Sequence, residues 1–244
     1  MNNYDTTTFE SGLDKLGVSL NRGQIEQFVQ YYELLTEWNK VMNLTGITEL
    51  EEVIVKHFLD SLAIVKVCDM EKVKMVIDIG TGAGFPGIPL KIAFPHLEVV
   101  LLDSLKKRMT FLDEVIKELD LVDITTIHGR AEDFANKSEY REQFDLSVSR
   151  AVANLSTLNE YCLPFVRLKG KFISYKSGKI GEELQQAQRA IEVLGGEIIS
   201  SNVFNLLETD MERSFVVIEK IGKTPKKYPR KAGLPNKEPI KLSL

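Results

Sequence analysis

Only two cysteines and three histidines occur in the 244 residues, too few and too scattered for a metal centre. Cys68 and Cys162 form no Cys-x-x-Cys pair, so neither a zinc ribbon nor a disulfide framework is expected, and a reducing cytoplasm fits. No apolar run approaches the length that spans a bilayer. The start, Met1-Asn-Asn-Tyr-Asp-Thr-Thr-Thr, has neither the basic region nor the apolar core of a secretory leader. The expectation is a cytoplasmic, metal-free protein with no membrane contact. Internal repeats are missing too. No apolar stripe beyond those of core-facing helices asks for a partner, so a monomer is expected. Hydrophobic residues at 43% and charged residues at 27% are ordinary for a globular chain of this length, which can bury one main core and carry an appendage.

Net charge is −4, which argues against a polyanionic partner only if the charge is evenly spread. It is not. From Lys223 onward seven Lys and Arg face one acid, Glu238, a balance of +6 that leaves −10 on the preceding 222 residues. Local charge sets phosphate binding, so a basic tail on an acidic body points to a nucleic acid met by the tail. Removing such a tail is expected to abolish contact with the nucleic acid while leaving the body's own ligand binding largely intact. Four of the eight prolines (Pro225, Pro229, Pro235, Pro239) also lie there and predict an extended segment.

Three regions follow from periodicity. Residues 1–70 read as a helical N-terminal subdomain. Ile25, Phe28, Val29, Tyr32, Leu35 and Trp38 recur at helical spacing over Asn21 to Asn39, and Asn43-Leu-Thr-Gly46 makes a loop. Thr48 and Glu51 have capping-box spacing at the head of a second helix running toward Val67. Residues 71–222 alternate strands (73–79, 98–102, 123–128, 144–148, 170–175, 197–203, 213–220) with helices (86–94, 105–119, 155–163, 180–194). Such alternation predicts an α/β fold with a mostly parallel, seven-stranded sheet covered on both faces, its last two strands an antiparallel edge pair. Residues 223–244 form the basic, proline-rich extension.

The first strand ends in Val76-Ile-Asp-Ile-Gly80-Thr-Gly82-Ala-Gly84-Phe-Pro-Gly87, and the second in Asp103, 19 residues after Gly84. Glycines at 80, 82 and 84 permit positive φ and close ligand approach, at the carboxyl ends of strands where open α/β sheets hold ligands. A carboxylate closing the second strand suits a ribose diol, accepting two hydrogen bonds from it. Counting from Gly80, Phe85 stands where the dinucleotide fingerprint wants its third glycine. Asp78 opposes a pyrophosphate but suits an ammonium group. The cofactor expected is therefore S-adenosylmethionine rather than NAD, in a Rossmann-like class I methyltransferase fold.

Ile77 to Leu90, His128-Gly-Arg-Ala-Glu-Asp133, Ser149-Arg-Ala-Val152 and Tyr228-Pro-Arg-Lys-Ala-Gly-Leu-Pro-Asn-Lys237 resemble the bacterial small-subunit ribosomal RNA guanine-N7 methyltransferase family, once called glucose-inhibited division protein B. Trp38-Asn39, Asn43-Leu-Thr45 and His57-Phe-Leu-Asp-Ser-Leu62 extend the likeness over nearly the whole chain. The resemblance implies methyl transfer from S-adenosylmethionine, leaving S-adenosylhomocysteine, to N7 of one guanine in the decoding-region loop of 16S rRNA, free or in the small ribosomal subunit. It implies that Asp78, Gly80, Gly82 and Gly84 line the methionine side of the cofactor with Phe85 beside it. Asp103 holds the ribose, Ala131 and Glu132 meet the adenine, and Arg150 reaches the methionine carboxylate or a substrate phosphate. Lys176, Arg230 and Lys231 are the further candidates for RNA contact.

Guanine N7 offers a lone pair and no proton, so no general base is required and no catalytic residue is named. Methylation at pyrimidine C5 needs a thiolate, whereas Cys162 reads as a buried, inert thiol. The Asn/Asp-Pro-Pro-aromatic loop used on exocyclic amines is replaced here by Ser149-Arg-Ala-Val152. His57, three residues before Asp60 on a helix, is within hydrogen-bond reach of it, with a packing role expected. His128 is likewise expected to pack, and Lys106-Lys-Arg108 to be a solvated charge run. A non-catalytic cofactor-binding module, a small-molecule methyltransferase and a dehydrogenase are the competing readings.

Overall fold

Seven apolar runs pair into one sheet in the computed structural model, which describes residues 4–150, 152–178, 180–207 and 209–241. The first three residues, Ala151 of the Ser149–Val152 motif and the last three residues of the basic extension lie outside the described residues. The strands are β1 (Met75–Ile79), β2 (Glu98–Asp103), β3 (Ile124–His128), β4 (Phe144–Arg150), β5 (Val166–Ser177), β6 (Gly196–Asn205) and β7 (Glu212–Lys220). Their order is β3-β2-β1-β4-β5-β7-β6. Neighbours run parallel except that β7 is antiparallel to both β5 and β6, as the missing helix between the last two strands implies. The order reverses between β1 and β4, and that switch point opens the crevice used for ligands in open α/β sheets.

Alternate residues of the central strands feed two separate cores, the reason these strands read as nearly continuous apolar runs rather than alternating ones. Val76, Val99, Leu101, Val148, Ile173 and Val217 join one cluster. Ile77, Ile79, Leu102, Phe172, Val216 and Ile218 join the other. The first face is covered by α5 (Gly87–Ala93) and α6 (Lys106–Glu118) and, outside them, by α1 (Thr7–Leu16) and α2 (Arg22–Met42). The second is covered by α7 (Ala131–Phe134), α8 (Leu155–Cys162) and α9 (Gly181–Val193). Both cysteines are buried, and burial pushes the Cys162 thiol far above its ordinary value.

Three expectations fail locally. The capping box sits at Asn21 and Gln24 on α2, where each side chain bonds the other's backbone N–H. Thr48 and Glu51 form none, because the next helix starts at Leu50 with no side-chain cap. That helix also fails to run regularly to Val67. It passes from α3 (Leu50–Val53) through a π-helical stretch, Ile54–Leu59, to α4 (Asp60–Leu62) and a 3-10 turn, Ala63–Lys66. π-helical turns recur at functional sites, and this one carries His57.

The third failure is the tail. Rather than being extended throughout, it folds back as a strap ending in the short helix α10 (Leu234–Lys237), with Thr224, Pro229 and Pro235 buried. Arg141 gathers the carbonyls of Thr224 (2.9 Å) and Tyr228 (3.0 Å). The buried Lys220 ammonium donates to Thr224 Oγ1 at 2.6 Å. Thr157 Oγ1 donates to Pro235 O at 3.1 Å.

Candidate active site

The glycine turn after β1 is built by two buried carboxylates. Asp78 Oδ2 accepts from Thr81 Oγ1 (2.7 Å) and from the Gly87 N–H (2.9 Å), tying the turn to the first residue of α5. Asp103 Oδ2 accepts from the Gly82 N–H at 3.0 Å and from Arg108 Nη1 at 2.8 Å, while Oδ1 accepts from the Leu105 N–H at 2.9 Å. Gly80 (φ 72°) and Gly82 (φ 62°) are both left-handed, and a Cβ on Gly80 would meet Val152 Cγ2 at 2.5 Å. Glycine is required there on both counts. From the helical layer the Tyr31 hydroxyl donates to the Ala83 carbonyl, close enough to Gly84 that a Cβ there would meet it at 2.7 Å.

These elements line a cleft of about 740 Å³, a volume suited to a nucleoside-sized ligand. Gly80, Gly82, Phe85, Asp103, Ala131, Glu132 and Arg150 all lie on its wall. Asp78 and Gly84 do not, which corrects the expectation that they line it. The Asp78 carboxylate is fully buried and serves the turn, with Oδ1 left without a partner; Gly84 gives its space to Tyr31. Asp103 is also less free than expected. A carboxylate has four acceptor positions, and three are filled, so one remains for a ribose hydroxyl rather than two.

Opposite the turn, Arg150 at the end of β4 lies over the Phe85 ring at 5.0 Å, and His57 stacks on the same ring at 4.5 Å. Asp60 Oδ2 accepts from Arg150 Nη1 at 2.8 Å and Oδ1 from Arg213 Nε at 2.9 Å. His57, expected to pack, makes no bond to Asp60 although it lies within three residues of it: Asp60 serves two arginines, and His57 Nε2 lies 2.9 Å from Thr45 Oγ1. The strap closes one end of the cleft with Gly233, Asn236 and Lys237, and the Gly233 N–H donates to Glu132 Oε1 at 2.7 Å.

Two of the RNA candidates are engaged elsewhere. Lys176 Nζ donates to Ala153 O and Glu183 Oε1, both at 2.7 Å. Arg230 grips Glu160 through Nε and Nη2. Neither lines the cleft, whereas Lys231 is exposed on the strap. Thr45, Arg108, Lys237 and His57 were not expected at the site. Arg108 hid in a charge run and binds Asp103 instead of facing water. His128, expected to pack, is exposed. No group of three or more metal-ligating side chains occurs among the described residues, and no helix among them is long and apolar enough to cross a membrane.

Burial and the Arg150 charge hold His57 down to about 4, and burial pushes the Asp78 carboxyl up to about 6. Their linkages oppose. His57 contributes stability that is full above its unfolded value of 6.5 and is lost as pH falls to about 4. Asp78 contributes stability present below 3.8 and lost as pH rises through about 6. Each shift is worth about 3 kcal/mol at 1.36 kcal/mol per unit. Asp78→Asn leaves the histidine unopposed, so between pH 6.5 and 4 its unfolding free energy is expected to fall about 2 kcal/mol further than that of the wild type. Urea melts across that range measure this, and parallel curves for the two proteins refute it.

Residues 24–213 match the family model described as rRNA small subunit methyltransferase G. A protein of Lachnoclostridium phytofermentans named ribosomal RNA small subunit methyltransferase G is 55% identical over 236 residues, covering 97% of this chain and 98% of its own. One of the same name from Clostridium tetani is 48% identical, covering 99% and 100%. Among solved structures, Pyrococcus horikoshii TYW2 in complex with MeSAdo superposes with a TM-score of 0.51 at 13% identity over 67% of this chain and 62% of that one, a likeness of fold alone.

Proposed function

The chain belongs to the rRNA small subunit methyltransferase G family, and we propose that it transfers the methyl group of S-adenosylmethionine to N7 of one guanine in the decoding-region loop of 16S rRNA. The observation that carries the reading is the cleft itself. A glycine turn in left-handed conformation, a carboxylate at the end of β2 and an arginine at the end of β4 face one crevice at the sheet's switch point. When bound, the cofactor supplies an activated methyl on a sulfonium.

The chain's own residues bind and align. The Gly80–Ala83 backbone accommodates the amino-acid end beside Phe85. Asp103 accepts a ribose hydroxyl with its remaining acceptor position, and Ala131 and Glu132 border the adenine. The Arg150 guanidinium, held over Phe85, supplies positive charge for the methionine carboxylate or a substrate phosphate. Guanine N7 attacks with its own lone pair, so no side chain has to take up a proton. The contribution of alignment, which can reach about 7–11 kcal/mol, then falls to the cleft walls. Exposed cations at the rim, Arg130 and Lys237, and Lys231 on the strap suit phosphates of the RNA loop.

The test is incubation with labelled S-adenosylmethionine and small ribosomal subunits from cells lacking this modification, followed by nuclease digestion. Label in 7-methylguanosine at one position is expected; label in another nucleoside, or none, defeats the reading. Asp103→Ala should weaken cofactor binding by about 1–3 kcal/mol, the cost of losing a hydrogen-bonded charged acceptor. Calorimetry showing an unchanged Kd removes Asp103 from the cofactor site.

A further inference from the structure

Thr45 is fixed more firmly than a loop residue of the fold requires. The Asn39 side-chain amide holds its backbone from both sides, Nδ2 donating to Thr45 O and Oδ1 accepting from the Thr45 N–H, each at 2.9 Å. Its hydroxyl oxygen accepts from the Ile47 N–H at 3.0 Å and lies 2.9 Å from His57 Nε2. Thr45 stands in the wall of the cleft together with His57, Phe85 and Arg150.

The direction of the Thr45–His57 bond follows from Arg150. A guanidinium has donors only, and Arg150 Nη2 lies 3.3 Å from His57 Nδ1, a contact that is a hydrogen bond only with Nδ1 as the acceptor. Lys56 O, 3.1 Å from the same nitrogen, is served instead by Arg150 Nη1 at 3.2 Å. In that tautomer, with burial keeping the ring neutral, the single ring proton is on Nε2 and is donated to Thr45. The two lone pairs of the Thr45 oxygen are then both occupied, by Ile47 and by His57. What is left is the hydroxyl hydrogen, for which no acceptor exists among the described residues. Thr45 therefore presents the cleft with a donor and with no acceptor.

Adjacent to N7 on the same edge, guanine carries the O6 acceptor, whereas adenine carries the N6 amine donor there. We propose that the Thr45 hydroxyl donates to O6 of the target guanine and so selects guanine over adenine as N7 is presented to the methyl group. This deepens the guanine-N7 reading above and rests on it. An adenine amine in the same place would meet an oxygen with no lone pair to offer, and two donors left facing each other without partners are costly. Asn39 and His57 are positioning residues, acting through Thr45.

The test compares wild type, Thr45→Val and Thr45→Ser in single-turnover methylation of small subunits whose target base is guanine or 2-aminopurine, which keeps N7 and lacks O6. The wild type should methylate guanine at least tenfold faster than 2-aminopurine. T45V should lose at least tenfold on guanine and no more than twofold on 2-aminopurine, and T45S should stay within threefold of wild type. Wild-type speed of T45V on guanine, an equal fall on both bases, or an equal fall for T45S and T45V each overturns the assignment. So does a loss of S-adenosylmethionine affinity in T45V that matches its loss of rate, which would place the hydroxyl on the cofactor. The product separates the two levels: absence of 7-methylguanosine from the wild-type digest defeats the guanine-N7 reading itself, whereas its presence with an indifferent T45V defeats only the role of Thr45.

Discussion

Asp60→Ala should destabilise the protein by about 3–5 kcal/mol, the usual cost of removing one partner from a buried ion pair, and should depress methyl transfer at least a hundredfold. Asp60 is 5% exposed and is bound by two guanidiniums, Arg150 at 2.8 Å and Arg213 at 2.9 Å. Those side chains come from β4 and β7, while Asp60 belongs to the helical layer, so one carboxylate ties that layer to two strands of the sheet. Without it, two like charges lose their shared counter-charge. Arg150 loses its shortest bond and with it the orientation over Phe85, and His57 loses the donor that fixes its tautomer. Because 3–5 kcal/mol is a large share of a domain's total stability, Asp60→Asn provides the milder arm: it keeps the shape and one oxygen acceptor, and should cost less stability while still lowering the single-turnover rate. Denaturant melts paired with that rate check both. A D60A protein within 1 kcal/mol of wild type, or an active D60N with wild-type rate, contradicts the account.

The sheet was legible because burial on two faces turns its central strands into nearly continuous apolar runs, and the glycine turn because left-handed φ leaves little choice of residue. What stayed hidden depends on partners far away in sequence. Nothing near Arg230 announces Glu160, 70 residues earlier, and nothing near Gly233 announces Glu132, 101 residues earlier, so a strap built by ion pairing read as an extended basic segment. The same limit applies to Asp60, whose spacing suggested His57 while its real partners lie 90 and 153 residues on. Thr45 and His57 were visible as parts of motifs, but their chemistry emerges only from counting donors and acceptors around them in space.

The strap leads to the second large effect. Glu160 is 1% exposed, and its only charged partner among the described residues is Arg230, which approaches through Nε and Nη2 at distances from 2.7 to 3.1 Å while its own N–H donates at 2.7 Å. Arg230→Ala leaves a buried carboxylate facing a backbone N–H alone, so a loss of about 3–5 kcal/mol is expected. Arg230→Lys should recover only part of it, since a point-like ammonium cannot reproduce the two-pronged grip. The damage should also reach the cofactor. Gly233, Asn236 and Lys237 follow closely along the chain and wall the cleft, so a strap released at Arg230 is expected to weaken S-adenosylmethionine binding as well as RNA methylation. Deleting residues 223–244 is then no clean separation of RNA contact from cofactor affinity, because it would also uncover Glu160, Glu132 and the buried Lys220. Lys231→Ala, altering an exposed charge on the strap, is the cleaner probe of RNA contact. Calorimetric cofactor affinity beside a denaturant melt decides the matter: R230A with wild-type affinity and stability would show the strap to be an appendage after all, and loss of both would establish it as part of the cleft.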